Sequence, residues 1–255
     1  MEERNKSLVC EAGHCFDIAK SGYVNLLPVS GKNSVQPGDN KEMIAARKIV
    51  MAKEYYKPLA DTIVSLLTEE NETGCVLDAG CGTGYIPSQI KKSMKGVTVI
   101  GTDISKFAIE AAAKQDKEVR FAVASSMRLP LEKGIADAVV CAFAPVYAEE
   151  FKRVTREKGL LLRVVPAEDH LYKLKEFLYE TPRKNEEDDT AFAGYELQKV
   201  VTVNGTFCGN EEEIKALVKM TPYYYHTSEE ILKKLDGIDL LSVNTSFEVR
   251  VFRRV

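Results

Sequence analysis

The sequence predicts an α/β fold with a mostly parallel sheet, and three observations support this prediction. Apolar runs and amphipathic runs alternate along residues 75–179, which is the pattern of strands covered by helices on both faces. An apolar run that reaches Asp78 is followed by glycines at three alternate positions, Gly80, Gly82 and Gly84. A second acidic residue, Asp103, ends the next apolar run. A ligand is therefore expected across the carboxyl ends of these strands.

The individual elements follow from these runs in chain order. Before the core, one helix is expected from Asp39 or Asn40 to about Tyr55, and a second from Pro58 to Leu67. Five strands are then predicted at 75–79, 97–102, 119–123, 137–143 and 160–165. The helices that follow these strands are predicted at 85–94, 106–115, 147–156 and 169–179.

The last quarter of the chain is expected to complete the sheet. Two further strands are predicted at 197–203 and 240–252, which gives seven in total, with helices near 211–219 and 228–235. Residues 181–196 carry an acidic run, and we interpret them as a mobile, solvated loop.

Composition places the chain among ordinary globular proteins. Of its 255 residues, 45% are hydrophobic and 29% are charged. No apolar run is long enough for a membrane span and no signal peptide opens the chain, so a cytoplasmic protein is expected. The six cysteines are scattered, which disfavours a disulfide framework. A net charge of −3 indicates no global affinity for polyanions, although residues 1–60 hold nine basic and seven acidic residues.

The acidic residue at the glycine turn indicates which cofactor the site takes. A carboxylate at Asp78 would repel the pyrophosphate of a dinucleotide, but it would attract an ammonium group. S-adenosylmethionine (SAM) carries an ammonium group, a sulfonium and a ribose, and it has no phosphate. Asp103, about 20 residues further on, has the spacing of a carboxylate that binds ribose hydroxyls. The sequence therefore predicts the seven-stranded, Rossmann-like sheet of a class I SAM-dependent methyltransferase.

Several strings outside the glycine turn resemble one family over essentially the whole chain. They are Gly22-Tyr23-Val24-Asn25-Leu26-Leu27, Pro37-Gly38-Asp39, Ala46-Arg47, Tyr56-x-Pro58-Leu59 and Met220-Thr221-Pro222. The sequence is similar in these strings to the RlmA/RrmA family of 23S rRNA guanine-N1-methyltransferases. The resemblance implies methylation of N1 of a guanine in a hairpin loop of 23S rRNA, and it implies a homodimer. It also implies that Tyr56 and His170 reach the cofactor.

The resemblance further implies an N-terminal module that binds RNA, and it divides the chain into three parts. These are the module at 1–35, linking helices at 36–70, and the methyltransferase domain at 71–255. Members of the family bind zinc through a Cys-x-x-Cys pair and a following Cys-x-x-x-His. Only Cys10 and His14 match, because residues 1–9 contain no cysteine. We therefore expect a degenerate module without structural zinc, since such a site needs four ligands.

The remaining candidate residues follow from positions in the predicted sheet. The cofactor-binding candidates are Tyr56, Asp78, Gly80, Gly82, Thr83, Gly84, Asp103, Ile104, Ser125, Ser126 and His170. Phe143, Ala144 and Pro145 follow the fourth strand, where the acceptor is held in N-methyltransferases, although Pro145 could also simply end the strand. The two serines are equally typical of ordinary loops. No residue is identified as a general base.

Two alternatives to rRNA methylation remain open at this point. The same core could methylate a small aromatic or quinone-like molecule, or the chain could bind SAM without catalysis. Basic residues near the start of the chain are the candidate RNA phosphate contacts, although for each one taken singly the interpretation as a plain surface charge is favoured. They are Lys32, Lys41, Arg47, Lys48 and Lys53.

Overall fold

The computed structural model describes residues 2–27, 38–70, 74–221, 223–224 and 227–255. The strands, in chain order, are β1 (Glu2–Arg4), β2 (Ser7–Val9), β3 (Cys15–Asp17), β4 (Val24–Asn25), β5 (Cys75–Ala79), β6 (Thr98–Asp103), β7 (Arg120–Val123), β8 (Ala136–Ala142), β9 (Thr155–Pro166), β10 (Tyr195–Gly209) and β11 (Leu241–Arg254). The helices are α1 (Lys41–Ala52), α2 (Lys57–Glu69), α3 (Tyr85–Ser93), α4 (Lys106–Gln115), α5 (Ala148–Val154), α6 (Tyr172–Leu178), α7 (Glu211–Lys219) and α8 (Glu229–Leu232).

One large mixed sheet organises most of these elements. Its strand order is β10-β11-β9-β8-β5-β6-β7-β4. The six strands from β9 to β4 in this order are parallel, and β11 and β10 complete the sheet as an antiparallel pair. After β5 the chain builds outward on one side through β6 and β7, and it then returns to the other side of β5 with β8. This reversal of strand order opens a crevice at the carboxyl end of β5.

Both faces of the sheet are covered, as the continuous apolar strands predict. Val76 and Val140 pack into the apolar layer on one face, and Leu77 and Val139 pack into the layer on the other. These side chains alternate because successive residues of a strand point to opposite faces. The α/β class and all seven predicted strands are confirmed.

An eighth strand joins the sheet from the N-terminal part of the chain. Val24 and Asn25 pair in parallel with Ala122 and Val123 of β7, and the N–H of Leu26 donates to the carbonyl of Val123 at 2.9 Å. The Gly-Tyr-Val-Asn-Leu-Leu string therefore extends the methyltransferase sheet. A separate three-stranded sheet, β1-β2-β3, precedes it. The predicted boundary at 35 lies outside the described residues, so the division into three parts stays a prediction.

Several predicted boundaries shift because tertiary pairing extends the strands. Strand β9 begins at Thr155, inside the segment predicted as helix 147–156, because it pairs there with β8. Strands β10 and β11 run longer than predicted, because they pair with each other along most of their length as an antiparallel ladder, with a register shift between Leu197 and Lys199. None of the helices in the described ranges is both long enough and apolar enough to cross a bilayer.

Residues 181–194 form a loop without regular secondary structure, and most of it is exposed, as predicted. Several of its side chains are nevertheless anchored to the core, and its mobility stays a prediction. Arg163 and Asp188 form an ion pair at 2.5 Å, and both side chains are largely buried. Phe192 is buried against Phe252, with 5.2 Å between the ring centroids. Asn185 accepts hydrogen bonds through Oδ1 and donates others through Nδ2. The sequence pattern did not predict these contacts, because their partners lie far away in the sequence.

Gly84 provides a test of how closely helix and sheet approach. Its φ is +80°, and a Cβ atom there would lie 2.7 Å from Cβ of Ala112 and 2.9 Å from Cζ of Phe121. Gly96 has a similar φ of +87°, but a Cβ atom added there would have no described neighbour within 4 Å. We expect Gly84→Ala to lower the free energy of unfolding by about 2 kcal/mol more than Gly96→Ala, because only the first adds overpacking to backbone strain. Urea unfolding measures the difference, and equal losses would contradict this explanation.

Candidate cofactor and acceptor site

A cavity of about 360 Å³ lies at the carboxyl ends of β5, β6 and β8. Twelve of the predicted site residues line it: Tyr56, Asp78, Gly80, Gly82, Thr83, Asp103, Ile104, Ser125, Ser126, Phe143, Ala144 and Pro145. They come from five separate parts of the chain, and the sheet brings them together. Two predicted residues, Gly84 and His170, are not part of the lining.

The glycine turn forms the floor of this cavity. Gly80 and Gly82 have φ values of +88° and +53°, which side chains rarely adopt. A Cβ on Gly80 would lie 2.6 Å from Cβ of Ala144, so glycine is required for close packing there. A Cβ on Gly82 would meet no described atom within 4 Å, so a side chain at this point would extend into open space in the cavity. The turn thus leaves room for a ligand against its backbone.

Asp78 is the most unusual group in the cavity. Its side chain is 1% exposed, and neither carboxylate oxygen has a hydrogen-bond partner among the described residues. Burial, with a further contribution from the charge of Asp103, raises the pKa of Asp78 to about 8. An unpaired carboxylate in such a place costs free energy unless a ligand supplies a positive charge or hydrogen-bond donors. The ammonium group of SAM supplies both.

Asp103 is held in a fixed orientation by backbone donors. The N–H of Gly82 donates to Oδ2 at 2.9 Å, and the N–H of Ser105 donates to Oδ1 at 2.8 Å. Burial raises the pKa of Asp103, and these two donors oppose the rise. Each carboxylate oxygen keeps a free lone pair for a further donor. The ribose hydroxyls of SAM are suitable donors.

The two serines after β7 differ in what their surroundings show. Both line the cavity. The hydroxyl of Ser125 also accepts a hydrogen bond from the N–H of Met127 at 3.3 Å, and Ser125 forms a bridge with Arg128. Ser125 therefore stabilises its own turn, so the interpretation as a loop-forming residue holds for it. Whether either serine contacts the cofactor stays a prediction.

Aromatic rings form one wall of the cavity. Tyr56 and Phe143 are stacked, with 5.4 Å between ring centroids and 19° between planes. Phe143 is 40% exposed, and its φ of +56° is a strained value for a phenylalanine. The strained backbone turns the ring toward the cavity, and the N–H of Phe143 is held by the carbonyl of Val164. A planar aromatic ligand could stack on this exposed face.

His170 is not part of the cavity lining, and its contact with the cofactor stays a prediction. The N–H of Ser246 donates to its Nδ1 at 3.1 Å, which leaves the proton on Nε2 to donate to the hydroxyl of Tyr55 at 3.2 Å. Tyr55 in turn contacts Tyr56, at 4.8 Å between centroids. His170 supports the aromatic wall from behind. Gly84 is likewise a packing residue, because Ala112 and Phe121 occupy the space beside it.

Asp39 and Arg47 line the cavity, and neither was predicted to bind the cofactor. Nε of Arg47 donates to Oδ2 of Asp39 at 2.5 Å. Both residues belong to strings that resemble the family, Pro-Gly-Asp and Ala-Arg. The sequence alone did not show that these strings lie beside the glycine turn. Of the other predicted phosphate contacts, Lys53 pairs with Glu213, Lys41 lies over the ring of Phe107, and Lys48 is exposed. Lys32 lies outside the described residues, as do Pro37 and Pro222 of the family strings.

The N-terminal sheet brings the two matching zinc ligands together. Sγ of Cys10 lies 3.3 Å from Nδ1 of His14, and the hydrogen bond from His14 lowers the pKa of the thiol. Within the described ranges, no group of three or more metal-ligating side chains is found. Cys10 and His14 therefore form half of a tetrahedral site, which does not fit a closed structural zinc centre. The absence of zinc stays a prediction.

Comparison with known proteins agrees with this site. A family model described as the RlmA N-terminal zinc ribbon matches residues 1–35, and a methyltransferase-domain model matches residues 76–163. A Bacillus subtilis protein, YxjB, named for 23S rRNA guanine-N1 methylation, is 31% identical over 92% of this chain and 88% of its own. The chain belongs to the RlmA family of 23S rRNA guanine-N1-methyltransferases. Like the family, it is a SAM-dependent methyltransferase.

Two further relatives of the RlmA family match over most of their length. The 23S rRNA (guanine(748)-N(1))-methyltransferase of Streptomyces fradiae is 29% identical over 98% of this chain and 92% of its own. A Micromonospora griseorubida protein, also named for 23S rRNA guanine-N1 methylation, is 33% identical over 87% of this chain and 81% of its own. The similarity therefore includes the N-terminal sheet as well as the methyltransferase core.

Asp78→Asn tests the unpaired carboxylate. In the unfolded chain the group titrates near pH 4, and in the folded chain near pH 8, so wild-type stability falls as the pH rises between these values. We expect the variant without SAM to be more stable than wild type at pH 7 by about 2–4 kcal/mol, and to bind SAM more weakly. Urea unfolding at pH 5 and pH 7, with calorimetric SAM titration, measures both effects. The control is Asp61→Asn at an exposed carboxylate, and an Asp78→Asn protein less stable than wild type would contradict the assignment.

His170 predicts a second, opposite pH dependence. Burial lowers the pKa of His170 to about 4, below the 6.5 of an exposed imidazole. Its contribution to stability is therefore complete above pH 6.5 and is lost as the pH falls toward 4, by about 2–3 kcal/mol. We expect His170→Gln to flatten this part of the stability profile measured by urea unfolding, while the exposed His14→Gln leaves the profile as it is. A profile that keeps its wild-type slope in His170→Gln would exclude this origin.

Proposed function

We propose that this protein transfers the methyl group of SAM to N1 of a guanine in a hairpin loop of 23S rRNA. The observation that carries the proposal is the exposed ring of Phe143, stacked on Tyr56 beside the cofactor cavity. A base that has been turned out of an RNA loop presents a flat face that stacks on such a ring. The names of the relatives that match over most of this chain support guanine N1 as the acceptor.

The chain's own residues position the two reactants. SAM, when bound, supplies an electrophilic methyl group. Asp78 balances positive charge at the amino-acid end of the cofactor, and Asp103 accepts hydrogen bonds from its ribose. Phe143 orients the plane of the acceptor base. Alignment of this kind supplies a large part of the rate acceleration in a direct displacement.

The N-terminal sheet has a role in this proposal as the part that grips RNA away from the cavity. Strand β4 attaches this region to β7, whose carboxyl end leads into the cavity wall at Ser125. A target loop held by the N-terminal sheet would thus be held in a fixed relation to the acceptor face. We also propose a homodimer that acts in the cytoplasm, where rRNA is modified.

Neither alternative has comparable support. An enzyme for a small aromatic molecule has no need of the region at 1–35, which the RlmA N-terminal model matches. A SAM-binding protein without catalysis has no need of the strained, exposed Phe143 beside the cofactor.

Methyl transfer to protein-free RNA tests the proposal directly. Purified full-length protein is incubated with radiolabelled SAM and with hairpin fragments of 23S rRNA, and the modified nucleotide is mapped by mass spectrometry. The expected product is N1-methylguanine in one hairpin loop. Tight SAM binding with no labelled fragment, together with transfer to a small aromatic acceptor, would overturn the rRNA assignment.

Phe143→Leu tests the stacking face. Loss of one base–aromatic stack costs about 1–3 kcal/mol, so kcat/KM for the RNA hairpin should fall by roughly 5–150-fold. The affinity for SAM should stay within about threefold, because the apolar wall is retained. Phe177→Leu is the matched control, since Phe177 is also 40% exposed but lies on α6, away from the cavity lining. Equal activity of the two variants would show that Phe143 does not hold the acceptor.

A further inference from the structure

Arg47 is the one residue with a basic side chain among the described residues that line the cavity. Three carboxylates, those of Asp39, Asp78 and Asp103, line the same space. A ligand that enters it therefore meets three acids and a single guanidinium. SAM presents a matching but unequal set of charges: an ammonium, a sulfonium and one carboxylate. Among the described side chains of the lining, only Arg47 can therefore form an ion pair with that carboxylate.

Four of the N–H groups of the glycine turn are already used within the protein. The N–H groups of Gly80 and Cys81 both donate to the carbonyl of Thr102, at 2.8 and 2.9 Å. The N–H of Gly82 donates to Asp103, and that of Gly84 donates to the carbonyl of Cys81. Backbone N–H groups at such a turn are common anion donors, but four of them are already committed here.

Arg47 has donors that remain available, and it is held in place. Its Nε donates to Asp39, and the guanidinium beside the hydroxyl of Tyr56 opposes the rise that burial causes in the pKa of Tyr56. The terminal nitrogens carry four N–H donors, which is enough for Tyr56 and a bidentate carboxylate. The backbone of Asp39 is fixed in turn, because the hydroxyl of Ser105 donates to its carbonyl at 2.7 Å. The guanidinium is thus oriented before any ligand arrives.

We propose that Arg47, together with the hydroxyl of Tyr56, binds the α-carboxylate of the methionine part of SAM. Asp78 binds the ammonium group of the same amino-acid end, so the cavity recognises both charges of a zwitterion. This inference rests on SAM as the cofactor. It replaces the expectation that Arg47 contacts an RNA phosphate, and it makes Asp39 a positioning residue that orients the guanidinium.

Decarboxylated SAM isolates the predicted contact, because it lacks only the α-carboxylate. Calorimetric titration compares SAM and decarboxylated SAM on the wild-type chain, Arg47→Met and Arg47→Lys. The wild-type chain should bind SAM more tightly than decarboxylated SAM, on the order of 10–100-fold in Kd. A charge-assisted hydrogen bond to a carboxylate contributes a difference of this size. Arg47→Met should lose that preference while its affinity for decarboxylated SAM stays within about threefold. Lys106→Met, an exposed basic residue outside the lining, is the control and should keep the wild-type preference.

Arg47→Lys keeps a positive charge but loses the planar fork, so its preference for SAM should fall several-fold. This variant carries the test if Arg47→Met fails to fold, and an unchanged preference in Arg47→Lys overturns the proposal. If Arg47→Met lowers the affinities for SAM and for decarboxylated SAM equally, then Arg47 only holds α1 against the cavity wall. That result also overturns the proposal. If the Arg47 variants change only KM for RNA, Arg47 contacts an RNA phosphate, as the sequence analysis expected, and the proposal is overturned. Failure of RNA methylation with the SAM preference intact would count against the proposed substrate alone.

Discussion

A buried carboxylate with no hydrogen-bond partner in the described part of the chain is the constraint on which this molecule depends. Asp78 ends the central run of β5, is almost completely buried, and has the like charge of Asp103 nearby. A sheet covered on both faces makes this possible, since it excludes water from the ends of its middle strands. The folded chain without ligand therefore carries a free-energy cost that a cationic ligand relieves. Affinity for SAM and instability of the empty cavity have the same origin.

Backbone strain is concentrated around the aromatic wall. Among the described residues, Glu54, Phe143 and Leu171 are three of the six non-glycine residues with positive φ. Glu54 precedes Tyr55 and Tyr56, and Leu171 follows His170, so the three strained residues lie in the wall or next to side chains that form or support it. Strain of this kind persists only where the surrounding structure determines it. It is used here to aim side chains that regular strand or helix geometry would point elsewhere.

The sequence contained enough information to predict the sheet, the glycine turn and most of the cavity lining, because these depend on local pattern and spacing. Asp78 and Asp103 were predicted from their places at strand ends. What the sequence did not show depends on contacts between distant residues. His170 and Arg47 illustrate this dependence: His170 was expected at the cofactor and lies behind Tyr55, outside the cavity lining, whereas Arg47 was expected on the surface and lies in the cavity. Their positions depend on how α1 and the β9–α6 connection pack, which no short-range pattern encodes.

Strand β4 has a consequence for how this protein can be divided. Through Val24 and Asn25 it covers the outer side of β7, which would otherwise end the large sheet with unpaired N–H and C=O groups. An open strand edge is a template for pairing with another chain. Removing the first 27 residues would thus do more than remove the proposed RNA-binding region, because it would expose the edge of β7 to pairing with another chain. The N-terminal segment therefore closes an edge of the methyltransferase sheet.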